Sequence, residues 1–184
     1  MQRSANSPGA LAASFISPNE LKPGLTLVTG PRGAGKTRWC MDLVEHARSS
    51  GLNPRGLASP SVMEGGQKVG IDLLDLGNGE RRRLAYRKGD AGGDLWTSDW
   101  QIVAETLNLG NAILERIKSC DLFILDEAGP LEFEHGIGLV AGLDIVDARK
   151  NFPCFVVVRP SLLSVVRQRW SWADVLDVNA EAEA

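Results

Sequence analysis

One segment of eight residues, Gly30 to Thr37, restricts the possible folds of this chain more than any other part of its sequence. It reads Gly-Pro-Arg-Gly-Ala-Gly-Lys-Thr and matches the pattern G-x-x-x-x-G-K-[ST] at every fixed position. Its glycines let the backbone curl until N–H groups point at phosphate oxygens, while the lysine reaches the β- and γ-phosphates. The segment is therefore predicted to bind a nucleoside triphosphate through Gly30, Pro31, Arg32, Gly33, Ala34, Gly35, Lys36 and Thr37. The Thr37 hydroxyl is also a predicted Mg²⁺ ligand.

The residues on either side supply the structure that such a loop requires. Leu25–Thr29 is a short apolar run with β-branched residues, which is typical of a strand. Lys36–Ser49 repeats apolar residues at helical spacing, and Gly51 ends this predicted helix. A strand, a glycine-rich turn and a helix in this order are the context in which the motif binds phosphate.

A pair of acidic residues supplies the carboxylates that the phosphate loop needs. The apolar residues Leu122–Leu125 lead directly into Asp126 and Glu127, and they predict a parallel strand that begins at Asp121. We assign Asp126 to Mg²⁺ and expect Glu127 to orient and deprotonate a water molecule in line with the γ-phosphate. The alternative for Glu127 is a solvated residue or a helix cap.

Residues typical of turns and helix caps predict the elements in the rest of the chain. Gly77-Asn78-Gly79 lies between Lys68–Leu76 and Arg81–Arg87, which predicts a β-hairpin. An S-x-x-Q capping box at Ser98 and Gln101 predicts a helix over Trp100–Lys118. The other predicted elements are strands at Gly56–Ser59, Phe155–Val158 and Val175–Val178 and helices at Gly138–Arg149 and Ser161–Arg169. Strands that alternate with helices indicate an α/β domain with a mainly parallel sheet.

Length and composition favour a single domain in the cytoplasm. Of 184 residues, we assign 22–178 to one nucleotide-binding domain, 1–21 to a flexible extension and 179–184 to an acidic tail. The formal net charge of −3 gives no reason to expect the whole domain to bind nucleic acid, although a local basic patch stays possible. The three cysteines form no CxxC pair, which favours reduced thiols. No apolar run approaches the ~20 residues that span a bilayer, and an organellar transit peptide stays an alternative for the extension.

Several residues are left with two interpretations. Arg159 follows a buried strand and is either a cation for the γ-phosphate, supplied in cis, or a surface arginine at a helix start. With Arg159, the candidate catalytic residues are Glu127 and Lys36. The arginines 81, 82, 83 and 87 form a solvated charge run or, alternatively, a basic lid or RNA contact. Packing is favoured over base stacking for the tryptophans 96 and 100, and a structural role for the lone histidine 135.

These features together resemble a known family, the small P-loop nucleoside triphosphatases first described from hyperthermophiles, which have a human cancer-related relative. The resemblance rests on the phosphate loop, on the string Asp-Glu-Ala-Gly-Pro-Leu-Glu over 126–132, and on the segment Ser59–Ala85. Val156–Pro160 also resembles the late strand of the family and its exit. Gln67 stands where the family often has a basic residue, and the extension before Lys22 is outside the family pattern.

The resemblance implies a RecA-like P-loop fold with an additional strand, helices on both faces of the sheet and an inserted β-hairpin. It also implies Mg²⁺-dependent hydrolysis of nucleoside triphosphates to diphosphate and phosphate, with loose base preference. The alternatives are a nucleotide or small-molecule kinase and a slow nucleotide-gated switch or RNA-associated adaptor. The partners expected are ATP and GTP, and no oligomeric state is predicted.

Overall fold

The computed structural model describes residues 21–89, 95–96, 99–148 and 151–178, with residues 95–96 described through their backbone. The strands are β1 (Gly24–Thr29), β2 (Pro54–Ala58), β3 (Ser61–Glu64), β4 (Gln67–Asp75), β5 (Arg81–Arg87), β6 (Leu95–Trp96), β7 (Trp100–Ile102), β8 (Leu122–Leu125), β9 (Pro153–Val157) and β10 (Asp174–Asp177). The helices are α1 (Lys36–Ser49), α2 (Ala104–Glu115), α3 (Pro130–Phe133), α4 (Val140–Asp147) and α5 (Leu163–Arg169). Apart from Leu21, the predicted extension and the predicted acidic tail lie outside the described residues.

All the strands belong to one sheet, in which the order is β10-β1-β9-β8-β2-β4-β5-β7-β6 and β3 pairs with β4. The neighbours from β10 to β2 are parallel, and the neighbours from β2 to β6 are antiparallel. β9 lies between β1 and β8. The antiparallel part is larger than the single inserted hairpin that was predicted, because β3, β6 and β7 extend it.

Alternating side chains of the parallel strands enter two separate cores. In β8, Phe123 and Leu125 join a cluster with α2, α4 and α5, while Leu122 and Ile124 join a cluster with α1. All four side chains are fully buried. A strand with both faces covered reads as a continuous apolar run, which is why residues 122–125 have no polar member. Helices therefore lie on both faces of the sheet.

The helix predicted over Trp100–Lys118 is wrong in its first turn. Trp100–Ile102 forms β7, which pairs with Arg87, Tyr86 and Ala85 of β5, and the helix begins only at Ala104. The backbone groups of residues 100–102 are satisfied in the sheet, so Gln101 does not form the predicted capping box, and Ser98 lies outside the described residues. The helix at 138–149 likewise starts later, at Val140, because Gly138 has a φ of 90° and is not helical.

The hairpin prediction is confirmed. β4 and β5 are antiparallel, and the turn between them is closed by Asp75, whose Oδ1 accepts the Gly77 N–H at 2.7 Å and whose carbonyl accepts the Gly79 N–H at 2.8 Å. Gly79 has a φ of 81°, in the left-handed region that glycine adopts without a side-chain penalty. Among the described residues, no helix is both long and apolar enough to cross a bilayer.

Candidate active site

The glycine-rich segment forms the connection between β1 and α1. Gly30, Gly33 and Gly35 have positive φ values of 140°, 87° and 92°, and Gly35 is the N-cap of α1. A side chain at Gly33 or Gly35 would be strained in this left-handed backbone, so glycine is required for the curl of the loop. The loop thus lies at the carboxyl end of β1 and at the N-terminal end of a helix, where backbone N–H groups and the helix dipole favour an anion.

Lys36 lies over this loop and is buried, with 9% of its surface exposed. Its Nζ donates hydrogen bonds to the carbonyl oxygens of Gly30 at 2.8 Å and Pro31 at 2.9 Å. An ammonium has three donors, so these two contacts hold the charge at the loop and leave one N–H for a phosphate oxygen. Arg32 is mostly exposed, as expected, and its guanidinium lies 3.9 Å from the carboxylate of Asp99.

Asp126 follows the last residue of β8 and is almost completely buried, with 1% exposed. Its N–H donates to the carbonyl of Leu57 at 3.0 Å, which fixes the backbone at the end of the sheet. Burial raises the pKa of Asp126 to about 6, against the opposing interaction with the Thr37 hydroxyl. The structure therefore brings together the two residues that were predicted as Mg²⁺ ligands.

The environment of Asp126 fits a divalent cation. Within the described part of the chain, Asp126 Oδ2 is buried without a hydrogen-bond partner, as is the hydroxyl of Thr29 at the end of β1. A buried carboxylate oxygen without a partner is costly unless a cation satisfies it. The described residues contain no group of three or more His, Cys, Asp or Glu side chains that could hold a metal ion without other ligands. Carboxylate and hydroxyl oxygens at a phosphate-binding loop suit Mg²⁺, which uses few protein ligands together with substrate phosphates.

Glu127 and Arg159 meet beside this site. Arg159 Nε donates to Glu127 Oε1 at 2.5 Å, although the two residues are 32 positions apart in sequence. The arginine is the N-cap of a 3-10 turn, Pro160–Leu162, and its side chain is 60% exposed, compared with 30% for Glu127. Glu127 is not a helix cap, since the N-cap of α3 is Gly129. The ion pair places a carboxylate and a guanidinium at the carboxyl ends of β8 and β9, where open α/β sheets bind ligands.

Glu132 holds the backbone after Glu127 in place, a role that the sequence analysis missed. The side chain is buried; its Oε2 accepts the Gly129 N–H at 2.7 Å and its Oε1 accepts the Leu139 N–H at 2.8 Å. Burial raises the pKa of Glu132, and these two N–H groups act in the opposite direction. The signal was present in the sequence, because Glu132 is three residues after the N-cap Gly129, where a capping-box acid is expected.

Lys68 is a second missed residue, and it lies on the antiparallel part of the sheet. It is the second residue of β4, is half-buried, and has its Nζ 4.9 Å from the ring centroid of Trp100. Its ammonium interacts electrostatically with the charged groups of Arg32, Glu127, Arg159 and Asp126. Burial, followed by the charge of Arg32, lowers the pKa of Lys68. No pattern in the sequence pointed to this lysine, because it reaches the site through strand pairing.

The other residues with open roles are exposed, ion-paired or packed, or lie outside the described residues. Arg81, Arg82 and Arg87 are exposed, and Arg83 forms an ion pair of 2.8 Å with Asp72. His135 is exposed after α3, and Trp100 packs partly against the larger core. The side chain of Trp96 and most of the glycine-rich stretch 89–93 lie outside the described residues. The cysteines 40, 120 and 154 form no disulfide.

The chain is similar in sequence to known nucleoside triphosphatases. The sequence model of the family described as NTPase matches residues 26–168. The chain is 33% identical over 125 residues to nucleoside-triphosphatase THEP1 of Ignicoccus hospitalis, and the alignment covers 68% of this chain and 70% of that protein. It is 28% identical over 158 residues to the protein of the same name from Methanopyrus kandleri, with 80% and 86% covered.

Two solved structures share the fold. A solution structure of a human cancer-related nucleoside triphosphatase has a TM-score of 0.63 at 20% identity, covering 84% of this chain and 88% of that chain. The crystal structure of THEP1 from the hyperthermophile Aquifex aeolicus has a TM-score of 0.65 at 15% identity, covering 84% and 89%. At these identities the likeness establishes the fold, and the match over residues 26–168 establishes the relationship: this chain belongs to the NTPase family and has the P-loop fold.

Proposed function

We propose that this protein is an Mg²⁺-dependent nucleoside triphosphatase that hydrolyses ATP, GTP and other nucleoside triphosphates to diphosphate and phosphate. The observation that carries the proposal is the position of Glu127. Its half-buried carboxylate directly follows Asp126, the residue beside the Thr37 hydroxyl, and its contact with Arg159 leaves the second oxygen available to a water molecule. Relatives named nucleoside-triphosphatase THEP1 support the same reaction.

The mechanism assigns one task to each residue. Lys36 and the loop N–H groups bind the phosphates, and Thr37 and Asp126 would hold Mg²⁺. The ion, when bound, neutralises charge on the β- and γ-phosphates. Glu127 accepts a proton from water as the water oxygen bonds to the γ-phosphorus and the bond from that phosphorus to the β-phosphate oxygen breaks. Arg159 stabilises the charge on the transferred group in cis.

Loose preference for the base follows from where the contacts are. The loop and the carboxylates described above would contact only the phosphates and the metal, so they do not distinguish adenine from guanine. We therefore expect ATP and GTP to be hydrolysed at comparable rates. Three cysteines without a disulfide are typical of a reducing compartment, and we propose that the protein acts in the cytoplasm.

Phosphate release from purified protein tests this function. Each nucleoside triphosphate is supplied with and without Mg²⁺ and with no acceptor present. We expect steady release that requires Mg²⁺, at the low end of usual enzyme turnover, about 1 s⁻¹ or below. A background rate that rises manyfold with one added nucleoside monophosphate or metabolite, and yields a phosphorylated product, would replace the hydrolase with a kinase. Tight binding with no release under any condition would favour a nucleotide-gated switch.

A further inference from the structure

We propose that Lys68 is a further catalytic residue, which brings its ammonium from the β3–β4 hairpin onto the terminal phosphate of the nucleoside triphosphate. The inference rests on the proposed function, because it assigns a contact within the same site. The lysine would bind the γ-phosphate in the ground state and stabilise the charge that spreads over its oxygens during transfer.

The hairpin that carries Lys68 begins at the metal-binding carboxylate. β2 pairs in parallel with β8 so that Leu57 lies opposite Leu125, and the backbone of Ser59 contacts the Asp126 side chain. β3 starts two residues later, at Ser61. β2 therefore ends beside Asp126. From there the β3–β4 hairpin extends beyond the carboxyl end of the parallel strands, where the phosphate loop also lies.

Strand pairing determines where Lys68 lies in this hairpin. Met63 pairs with Lys68 and Glu64 pairs with Gln67, so Lys68 is one pair away from the turn at Gly65 and Gly66. The aliphatic stem of the lysine is half-buried, and its ammonium lies over the Trp100 ring at 4.9 Å. A ring face attracts a cation but occupies only one side of it, which leaves the ammonium's other donors available for an oxygen ligand.

Among the described residues, Lys68 forms no ion pair within 4.0 Å. Arg83 of the neighbouring strand β5, in contrast, pairs with Asp72 of β4 at 2.8 Å. The carboxylates with which Lys68 interacts are Asp126 and Glu127, the residues assigned to the metal and the water. The charge of Lys68 therefore acts on the two carboxylates that are proposed to take part in hydrolysis.

The charges around Lys68 favour an anion between them. Its ammonium is repelled by Arg32 of the phosphate loop and by Arg159, and part of its stem is removed from water. The charges of Arg32 and Arg159, which come from separate parts of the chain, therefore act on Lys68 together with those of Asp126 and Glu127. A terminal phosphate, with its negative oxygens, compensates this repulsion, and a nucleoside diphosphate that lacks the terminal group does so less well.

The test compares wild type, Lys68→Gln and Lys68→Arg for kcat, KM and the affinities for ADP and a non-hydrolysable β,γ-imido analogue of ATP. For Lys68→Gln we expect kcat to fall about tenfold to hundredfold and the preference for the triphosphate analogue over ADP to fall about tenfold or more. ADP affinity should change little. Lys68→Arg should recover most of both quantities, because the cation is retained.

Lys118→Gln is the matched control, since it removes the same charge from an exposed lysine at the C-terminal end of α2. It should leave every measured quantity at the wild-type value. Wild-type kcat and wild-type triphosphate preference in Lys68→Gln would overturn the proposal, as would an equal loss of ADP and triphosphate affinity. A wild-type protein that releases no phosphate would instead refute the proposed function, and the triphosphate preference would still decide whether Lys68 contacts the terminal phosphate.

Discussion

Arg159 and Glu127 form an ion pair of 2.5 Å that joins the ends of two neighbouring strands, β8 and β9. The pair holds the proposed general base beside Asp126, and it holds the guanidinium that we propose for the γ-phosphate beside that base. Because one oxygen of Glu127 is bonded to Arg159, the geometry leaves the other oxygen for water. We therefore expect substitutions of Glu127 and of Arg159 to lower the rate of hydrolysis for different reasons.

Glu127→Gln should lower kcat by ~10²-fold or more, because the amide is nearly the same shape but cannot accept the proton from water. Nucleotide affinity should stay close to that of the wild type. The measurement is phosphate release at saturating ATP together with a binding titration. Glu134→Gln, an exposed change shortly after α3, is the control and should have wild-type turnover. If Glu127→Gln turned over at the wild-type rate, the base would have to be another residue.

Arg159→Ala should lower kcat about tenfold or more and leave ADP affinity nearly unchanged, because its charge acts on the transferred group. Arg167→Ala removes an exposed arginine from α5 and serves as the control. The readout is kcat for both variants at saturating Mg²⁺ and ATP. Equal rates for Arg159→Ala and wild type would assign Arg159 to the surface role that the sequence also allowed.

Lys36→Ala should weaken triphosphate binding by about 1.5–3 kcal/mol, or one to two decades in Kd, since charge-assisted contacts of this kind contribute that much. The substitution also removes the contacts to the carbonyls of Gly30 and Pro31, so circular dichroism is needed to establish that the domain stays folded. Titration with a fluorescent ATP analogue measures the affinity. An unchanged Kd in a folded variant would contradict the assignment.

Asp126→Asn should shift the Mg²⁺ dependence of hydrolysis to higher concentration, because a neutral amide is a weaker ligand for a hard cation than a carboxylate. The control is Asp121→Asn at the other end of the same strand region, where the carboxylate accepts the Asn53 N–H at 2.8 Å. Mg²⁺ titrations of phosphate release compare the two variants. Coincident curves for Asp126→Asn and wild type would remove Asp126 from the metal site.

Gly138→Ala should destabilise the loop that Glu132 closes. A Cβ at this position would lie 2.1 Å from Glu132 Oε1, the oxygen that accepts the Leu139 N–H, and the φ of 90° is itself strained for alanine. Gly136→Ala shares the positive φ, at 63°, but meets nothing within 4 Å. We expect Gly138→Ala to cost about 1–3 kcal/mol more in the free energy of unfolding. Urea denaturation measures both variants, and equal midpoints with equal slopes would show that Glu132 moves aside freely.

The sequence predicted most of the parallel half of the sheet because its signals are local. The phosphate loop and the run into Asp126 each depend on a few consecutive residues, and each was found where predicted. The Gly77–Gly79 turn, in the antiparallel part, was predicted for the same reason. The start of the helix after Ser98 was misjudged for the opposite reason. Residues 100–102 are strand because β5 lies beside them, and a short capping pattern carries no information on that neighbour.

Long-range contacts also explain why the sequence did not predict which residues of the site lie close together. Lys68 and Trp100 are brought together by two different strands, and Arg159 reaches Glu127 from a segment 32 residues away. A single sequence without related sequences gives the identity of these residues but not their proximity. Glu132 is different, because its position three residues after Gly129 is a local pattern that indicates a capping role, although the sequence analysis did not predict one.

The position of β1 in the strand order has a consequence for how the protein is made on the ribosome. β1 is flanked by β9 and β10, so Leu27 pairs with Val156 on one side and Val175 on the other. Both neighbours are synthesised more than a hundred residues after the phosphate loop. A nascent chain that has exposed only residues up to about Leu125 therefore carries the whole nucleotide-binding motif on an unpaired strand. We therefore expect the phosphate loop to be held in its native position only after the residues beyond 150 have emerged and β9 and β10 have paired with β1.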